Sequence, residues 1–121
     1  MSYGYRDLVV WQKAKLLASE VYRLTNSFPK AELYGLTSQM QRASVSVASN
    51  IAEGQGRLTK GEFVQFLGLA RGSLLELETQ AAIAEDLGYL ESARNGEIES
   101  LTSEVRKPLN GLIESLRRSR A

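Results

Sequence analysis

Six polar residues at helical spacing are the first candidates for chemistry in this sequence. They are Gln39, Arg42, Asn50, Glu53, Ser73 and Glu76. Two carboxylates near a serine and an arginine are groups that an acid–base hydrolase could use. The chain contains no histidine and no cysteine, so the commonest general base, the thiolate nucleophile and the usual zinc ligands are missing. We therefore expect no catalytic residue, no metal site and no cofactor.

The short turn between the second and third predicted helices decides which of these residues face each other. It brings Arg42 near Glu76 and Gln39 near Ser73. Glu53 falls far from Glu76 along the bundle, so the two carboxylates are not expected to share one substrate. Buried polar groups need partners. The six residues are therefore predicted to form a structural polar network that fixes the register of two helices.

Basic residues in the first half of the chain are candidates for nucleic-acid binding. Residues 1–60 contain eight Lys/Arg and four Asp/Glu, whereas residues 61–121 contain seven and ten. This asymmetry has two interpretations: oppositely charged helix faces that pair with each other, or an assembly with one basic and one acidic surface. No helix-turn-helix, zinc-finger or RNA-recognition motif is present, so only contacts to phosphates are predicted. The candidate residues are Arg6, Lys13, Lys15, Arg23, Arg42, Arg57 and Lys60.

The glycine-rich run at residues 54–61 resembles a phosphate-binding loop only superficially. It lacks the P-loop spacing, and no predicted strand precedes it. We interpret it as the end of one helix, a turn and the start of the next. Exposed N–H groups at that helix start, together with Arg57 and Lys60, could still hold a backbone phosphate.

Apolar residues at steps of three and four predict the helices that position these side chains. Such seams begin at Val10, Leu36, Phe63 and Ile98, and no segment shows the period of two that strands require. The helices are predicted near residues 8–27, 35–54, 60–87 and 95–117. Short loops make sequence neighbours antiparallel, so we predict an all-α, up-down-up-down four-helix bundle that forms one domain over residues 1–121.

Capping residues are recognisable at several helix ends. Asp7 is the expected N-cap of the first helix, and Gly54 begins a glycine stop after the second. Thr59 and Glu62 have the spacing of a capping box at the start of the third helix. Gly88 is expected to end that helix.

Two glycines and a proline lie inside predicted helices. Gly68 and Gly72 are one turn apart in the third helix. Because an interior glycine costs about 1 kcal/mol relative to alanine, we expect a close helix crossing there. Pro108 removes one backbone hydrogen bond from the fourth helix and is expected to kink it. The arginines that end the chain suit the negative end of a helix dipole: Arg117, Arg118 and Arg120.

Several motifs make the sequence resemble a known family. They include LVVWQKA at residues 8–14, YGLTSQ at 34–39, SNIAEG at 49–54 and ARGS at 70–73. On these residues the chain resembles the bacterial four-helix-bundle proteins first noticed as reading frames in intervening sequences of 23S ribosomal RNA genes. The accessory variability determinant of diversity-generating retroelements is related to them. The resemblance implies an up-down four-helix bundle, often a ring of five subunits, and no agreed activity. Pro108 departs from the family, whose members usually have ordinary helix formers there.

The resemblance and the basic residues together suggest a function. The retroelement accessory protein binds nucleic acid and a reverse transcriptase, and a ring would repeat a modest basic patch several times. We therefore expect a non-enzymatic homo-oligomer, with a ring of five favoured, that binds RNA or DNA non-specifically as an accessory factor. The alternative is an assembly scaffold that binds another protein and no nucleic acid.

Two further expectations concern association and location. The first three helices carry more close-packing surface than one core requires, which predicts a partner-facing surface. No apolar signal core follows Met1, and no run reaches the length of a membrane span. A cytoplasmic location is therefore expected.

Overall fold

Four α-helices make up most of residues 4–119, the part of the chain that the structure, a computed structural model, describes. They are α1 (Val9–Thr25), α2 (Leu36–Gln55), α3 (Lys60–Asp86) and α4 (Ser92–Arg118). Short 3-10 turns at Tyr5–Asp7 and Lys30–Glu32 precede α1 and α2. No strand occurs within residues 4–119. The predicted all-α fold with four helices is confirmed.

Each helix packs against its sequence neighbours, and α1 closes the bundle by packing against α4. Neighbouring helices are antiparallel: along each contact, residue numbers rise on one helix and fall on the other, as in an up-down-up-down bundle. Between α3 and α4, for example, Arg71 bonds Asn110 and Glu85 accepts from Asn95. The apolar seams predicted from the sequence supply the core of the bundle. Its largest fully buried apolar side chains are Leu17, Met40, Ile51, Leu67, Leu74, Leu77, Ile98 and Leu109.

Two of the predicted helix ends are confirmed. The Thr59 hydroxyl accepts a hydrogen bond from the Glu62 backbone N–H at 3.1 Å, as a capping box requires. Gly88 follows α3 with φ of +78°, which glycine adopts without strain. The backbone N–H of Tyr89 then reaches the Ala84 carbonyl at 3.0 Å, which closes a Schellman motif.

The predicted cap of α1 is wrong. Asp7 lies in the 3-10 turn, and the N-cap of α1 is Leu8, which offers no side-chain acceptor. The 3-10 turn continues directly into the helix, because the N–H of Leu8 bonds the Tyr5 carbonyl at 3.0 Å.

Gly54 has a different role from the predicted helix stop. It lies inside α2, which ends at Gln55 with Gly56 as its C-cap in a right-handed conformation. A Cβ placed on Gly54 would lie 2.8 Å from the Phe66 Cβ and 3.0 Å from a ring carbon of Phe63. Glycine is needed here because α3 approaches the α2 backbone too closely for any side chain.

The predicted close crossing at Gly68 and Gly72 is wrong within this chain. A Cβ at either glycine would meet nothing within 4 Å, because both face away from the other three helices.

Pro108 lies inside α4, which continues as an α-helix to Arg118. The proline therefore does not end the helix.

The two kinds of glycine predict opposite effects of alanine substitution. Gly111, an exposed glycine inside α4, is also open: Gly111→Ala should stabilise the protein by about 1 kcal/mol, because the new methyl group meets nothing within 4 Å and alanine favours the helix. Gly54→Ala should destabilise it by about 1–3 kcal/mol, because the methyl group overlaps Phe66. Urea unfolding followed by circular dichroism measures both changes. Two changes of the same sign would contradict the packing of α2 against α3.

Candidate nucleic-acid interface

A small polar network joins α2 to α3 and contains two of the six residues predicted for it. The hydroxyls of Ser46 and Ser73 lie 2.9 Å apart across the helix pair. The Asn50 side-chain amide donates to the Ser46 hydroxyl and to the Ser46 carbonyl, both at 2.9 Å. All three residues are partly buried. The sequence prediction named Asn50 and Ser73 but missed Ser46, the residue that connects them.

The other members of the predicted network do not belong to it. Arg42 and Glu76 are exposed and form no ion pair with each other. The buried residues Ala43 and Leu77 follow them directly in the chain. Arg42 and Glu76 lie one helical turn from Ser46 and Ser73 respectively, and both extend into solvent instead of forming a buried pair.

Gln39 and Glu53 also lie outside the network. Gln39 precedes Ser46 by two helical turns, which is about 10 Å along α2, so it does not reach Ser73. The prediction that these two residues meet is therefore wrong. Glu53 is exposed on the opposite side of α2 from Gly54 and the phenylalanines of α3.

Charge is strongly separated along the bundle. We divide the described residues near the middle of the bundle into two halves that we call basic and acidic. The basic half holds ten Lys/Arg against four Asp/Glu, a net charge of +6, and the acidic half holds four against ten, a net charge of −6. The basic half comprises residues 4–17, 46–73 and 105–119; the acidic half comprises residues 18–45 and 74–104.

The topology explains why this separation is stronger than the sequence count suggests. In an antiparallel bundle the start of α1, the α2–α3 turn and the end of α4 come together at one end. A hydrogen bond from the Lys60 ammonium to the Ser119 hydroxyl joins the start of α3 to the end of α4. The sequence count divided the chain at residue 60, so it summed the basic and acidic ends of α3 and α4 together. The basic ends of these two helices were therefore masked by their acidic ends.

Seven cations of the basic half have no carboxylate within 4 Å among the described residues. The other three are paired: Lys13 with Glu104 at 3.2 Å, Arg118 with Glu114 at 3.4 Å, and Arg106 with Glu78. Cations without a carboxylate partner are available to contact an anionic partner. The seven are Arg6, Lys15, Arg57, Lys60, Arg71, Lys107 and Arg117.

The structure brings together four of the seven predicted nucleic-acid contacts: Arg6, Lys15, Arg57 and Lys60. Lys13 lies in the same half but pairs with Glu104. Arg23 and Arg42 lie in the acidic half, and Arg23 pairs with Glu20 at 3.4 Å. These two are therefore not part of the basic surface.

Three unpaired cations were missed as candidates: Arg71, Lys107 and Arg117. For Lys107 and Arg117 the predicted topology held the signal, because it places the second half of α4 beside the first half of α3. Arg120, the last arginine of the predicted basic end, lies outside the described residues.

A groove of about 860 Å³ lies between α1 and α2, largely in the basic half. We call it the α1–α2 groove. Small residues such as Ala18, Ala48 and Ala52 line it, with Tyr5, Trp11 and Tyr22 as its aromatic residues. Lys15 and Glu53 are its two charged residues.

The acidic half contains one perturbed titratable group. The Tyr89 hydroxyl donates to the Glu32 carboxylate at 3.1 Å, and this hydrogen bond raises the pKa of Tyr89. The Tyr89 ring also packs against Phe28, with 5.8 Å between ring centroids. These contacts fasten the α3–α4 turn to the segment between α1 and α2.

Comparisons with known proteins identify relatives but no activity. Residues 6–111 match the family model described as 23S rRNA-intervening sequence protein. A solved structure, described as a protein of unknown function from the S23 ribosomal protein family of Bacteroides thetaiotaomicron, matches with a TM-score of 0.78. It is 20% identical, and the match covers 87% of this chain and 98% of the other. A comparison with curated proteins gives no match.

Residues 4–119 contain neither a membrane-spanning helix nor a cluster of metal-ligating side chains. None of the helices combines the length and the hydropathy that crossing a bilayer demands. No group of three or more acidic side chains is placed to hold a metal ion.

The polar contacts between α2 and α3 predict a clear difference between two double-mutant cycles. Ser46→Ala and Ser73→Ala should couple by about 0.5–1.5 kcal/mol, because each removes the partner of the other. Arg42→Ala and Glu76→Ala should show coupling near zero, because both side chains are exposed and form no ion pair with each other. Free energies of unfolding in urea give both cycles. Strong coupling of Arg42 with Glu76 would contradict the unpaired, solvent-exposed placement of these two side chains.

Proposed function

This chain belongs to the 23S rRNA-intervening sequence protein family, and from that premise we propose that it is a non-enzymatic nucleic-acid-binding protein of the cytoplasm. The basic half is the proposed binding surface, and phosphate is the group that it contacts. The observation that carries the proposal is the net charge of +6 on one half of the bundle, with seven of its ten cations unpaired.

Phosphate contacts account for this arrangement better than base readout does. Exposed Lys and Arg side chains bind backbone phosphates, release counterions and require no particular base sequence. The cations belong to three separate chain segments, and no single helix presents a row of them to a major groove. The acidic half, with a net charge of −6, repels nucleic acid and leaves one end of the molecule for binding.

Self-association is the second proposal, and one surface of α3 favours it. Gly68, Leu69, Gly72, Leu75 and Ile83 form what we call the outer stripe of α3, on the side away from the other helices. Leu69 is 53% exposed and Ile83 is 45% exposed. The two glycines leave a flat strip on which another helix could pack closely. Such an oligomer, a ring of five by family resemblance, would align several basic halves and increase affinity by avidity.

The alternative function is a scaffold that binds another protein and no nucleic acid. The exposed apolar side chains of the outer stripe are the feature that favours it. Binding measurements with nucleic acid distinguish the two functions, because a scaffold requires no contribution from the unpaired cations.

Removal of two unpaired cations should weaken binding in a salt-dependent way. We expect the double variant Arg57→Gln/Arg117→Gln to bind a mixed-sequence RNA more weakly. The slope of log K against log salt should fall by about 1.4–1.8, since each phosphate contact contributes about 0.7–0.9. Fluorescence anisotropy at several salt concentrations measures this slope.

Arg42→Gln is the matched control, because Arg42 is also exposed and unpaired but lies in the acidic half. It should leave both the affinity and the slope unchanged. Equal losses from the control and from the double variant would contradict the assignment of the basic half as the binding surface.

The self-association proposal predicts a different effect for two exposed leucines. Leu69→Gln should lower the molar mass measured by light scattering after size exclusion, because it places an amide in the outer stripe. Leu58→Gln is the control: Leu58 is 98% exposed in the α2–α3 turn, outside the stripe. A wild-type monomer at micromolar concentration would rule out self-association, and equal loss of mass in both variants would rule out the stripe.

A further inference from the structure

The α1–α2 groove combines features that the proposed phosphate contacts do not explain. We propose that it binds unpaired bases of single-stranded nucleic acid, which stack on its aromatic side chains. This inference rests on the proposed function, because cations of the basic half hold the backbone beside the groove. It adds a substrate class: single strands are favoured over duplexes.

The aromatic residues of the groove provide the stacking surfaces. The Tyr5 ring meets the Trp11 ring edge-on, with 5.0 Å between centroids and 66° between planes. Tyr22, one turn beyond Ala18 on the same helix, is 48% exposed. The small side chains of Ala48 and Ala52 across the groove leave room above these rings. Stacking on aromatic side chains tolerates any base, because every base has a π-face.

Two cations lie on the groove's aromatic rings and can exchange these contacts for phosphates. The Lys15 ammonium lies 5.4 Å from the centroid of the Trp11 ring, and the Arg6 guanidinium lies 5.7 Å from that of Tyr5. Neither cation has a carboxylate partner within the described residues. A base that stacks on Trp11 displaces Lys15 from the ring, and the long side chain then reaches the adjacent phosphate.

The charged groups around the groove indicate how a nucleic-acid strand would lie in it and which other occupants would fit poorly. Glu53 is the carboxylate that lines the groove, on the α2 side, so it repels phosphate there and places the backbone along α1. A symmetric contact with the same groove of a second copy would bring two basic halves together, at an electrostatic cost. Duplex bases are already stacked inside their helix and cannot enter the groove without unpairing.

The single tryptophan of the chain, Trp11, makes this inference directly measurable. A single-stranded oligothymidylate of about 12 nucleotides, within the length that stacking platforms bind, should quench the tryptophan fluorescence. It should also bind more tightly than a duplex of equal length at the same salt concentration. Tyr22→Ala should weaken single-strand binding about 5- to 150-fold, as expected for loss of one base–aromatic stack. Duplex affinity should be unchanged.

Tyr34→Ala is the matched control, because Tyr34 is 93% exposed and lies outside the groove. It should alter neither affinity, and Trp11→Phe should retain single-strand affinity while removing the signal. Equal binding of duplex and single strand without quenching would overturn the stacking inference and leave the proposed function standing. Binding of neither probe would overturn both. Quenching that depends on protein concentration and not on oligonucleotide would assign the groove to a second copy and also overturn the inference.

Discussion

The close packing of α2 against α3 is the constraint on which the rest of the structure depends. At Gly54 the backbones approach so closely that a Cβ would lie 2.8 Å from the Phe66 Cβ. Further along the pair, the Ser46 and Ser73 hydroxyls meet at 2.9 Å. The first contact sets the separation of the two helices and the second fixes their register. Because α1 packs on α2 and α4 packs on α3, both outer helices take their positions from this central pair.

The antiparallel packing of α4 on α3, seen in the Arg71–Asn110 and Asn95–Glu85 hydrogen bonds, sets the charge distribution. This packing aligns the basic start of α3 with the basic end of α4, and it places the acidic end of α3 beside the acidic start of α4. Two ion pairs cross between the halves: Lys13 with Glu104, and Arg106 with Glu78. Both are partly exposed, so each contributes no more than about 1 kcal/mol. The remaining cations are left available at one end, which is the feature that the proposed function uses.

The sequence predicted the helices well and the surface less well, for physical reasons. Apolar periodicity and capping chemistry are local, so Thr59, Gly88 and the four helices could be recognised directly. Whether two side chains at facing positions are buried and paired depends on the rotation of each helix and on side-chain conformation, which is why Arg42 and Glu76 were predicted to pair but extend into solvent. Glycine alone does not reveal whether it permits a close contact, as at Gly54, or faces solvent, as at Gly72. The basic half required the topology, because its residues come from three distant segments.

The most direct test of the account is to locate bound nucleic acid on the protein. Photo-crosslinking of a single-stranded oligonucleotide, followed by mass spectrometry of the peptides, reports contacts without altering the chain. The account predicts crosslinks in residues 4–17, 46–73 and 105–119, on all three segments of the basic half, and at Tyr22 in the α1–α2 groove. Crosslinks concentrated in residues 23–44 and 74–104 would contradict the claim that charge separation along the bundle creates the binding surface.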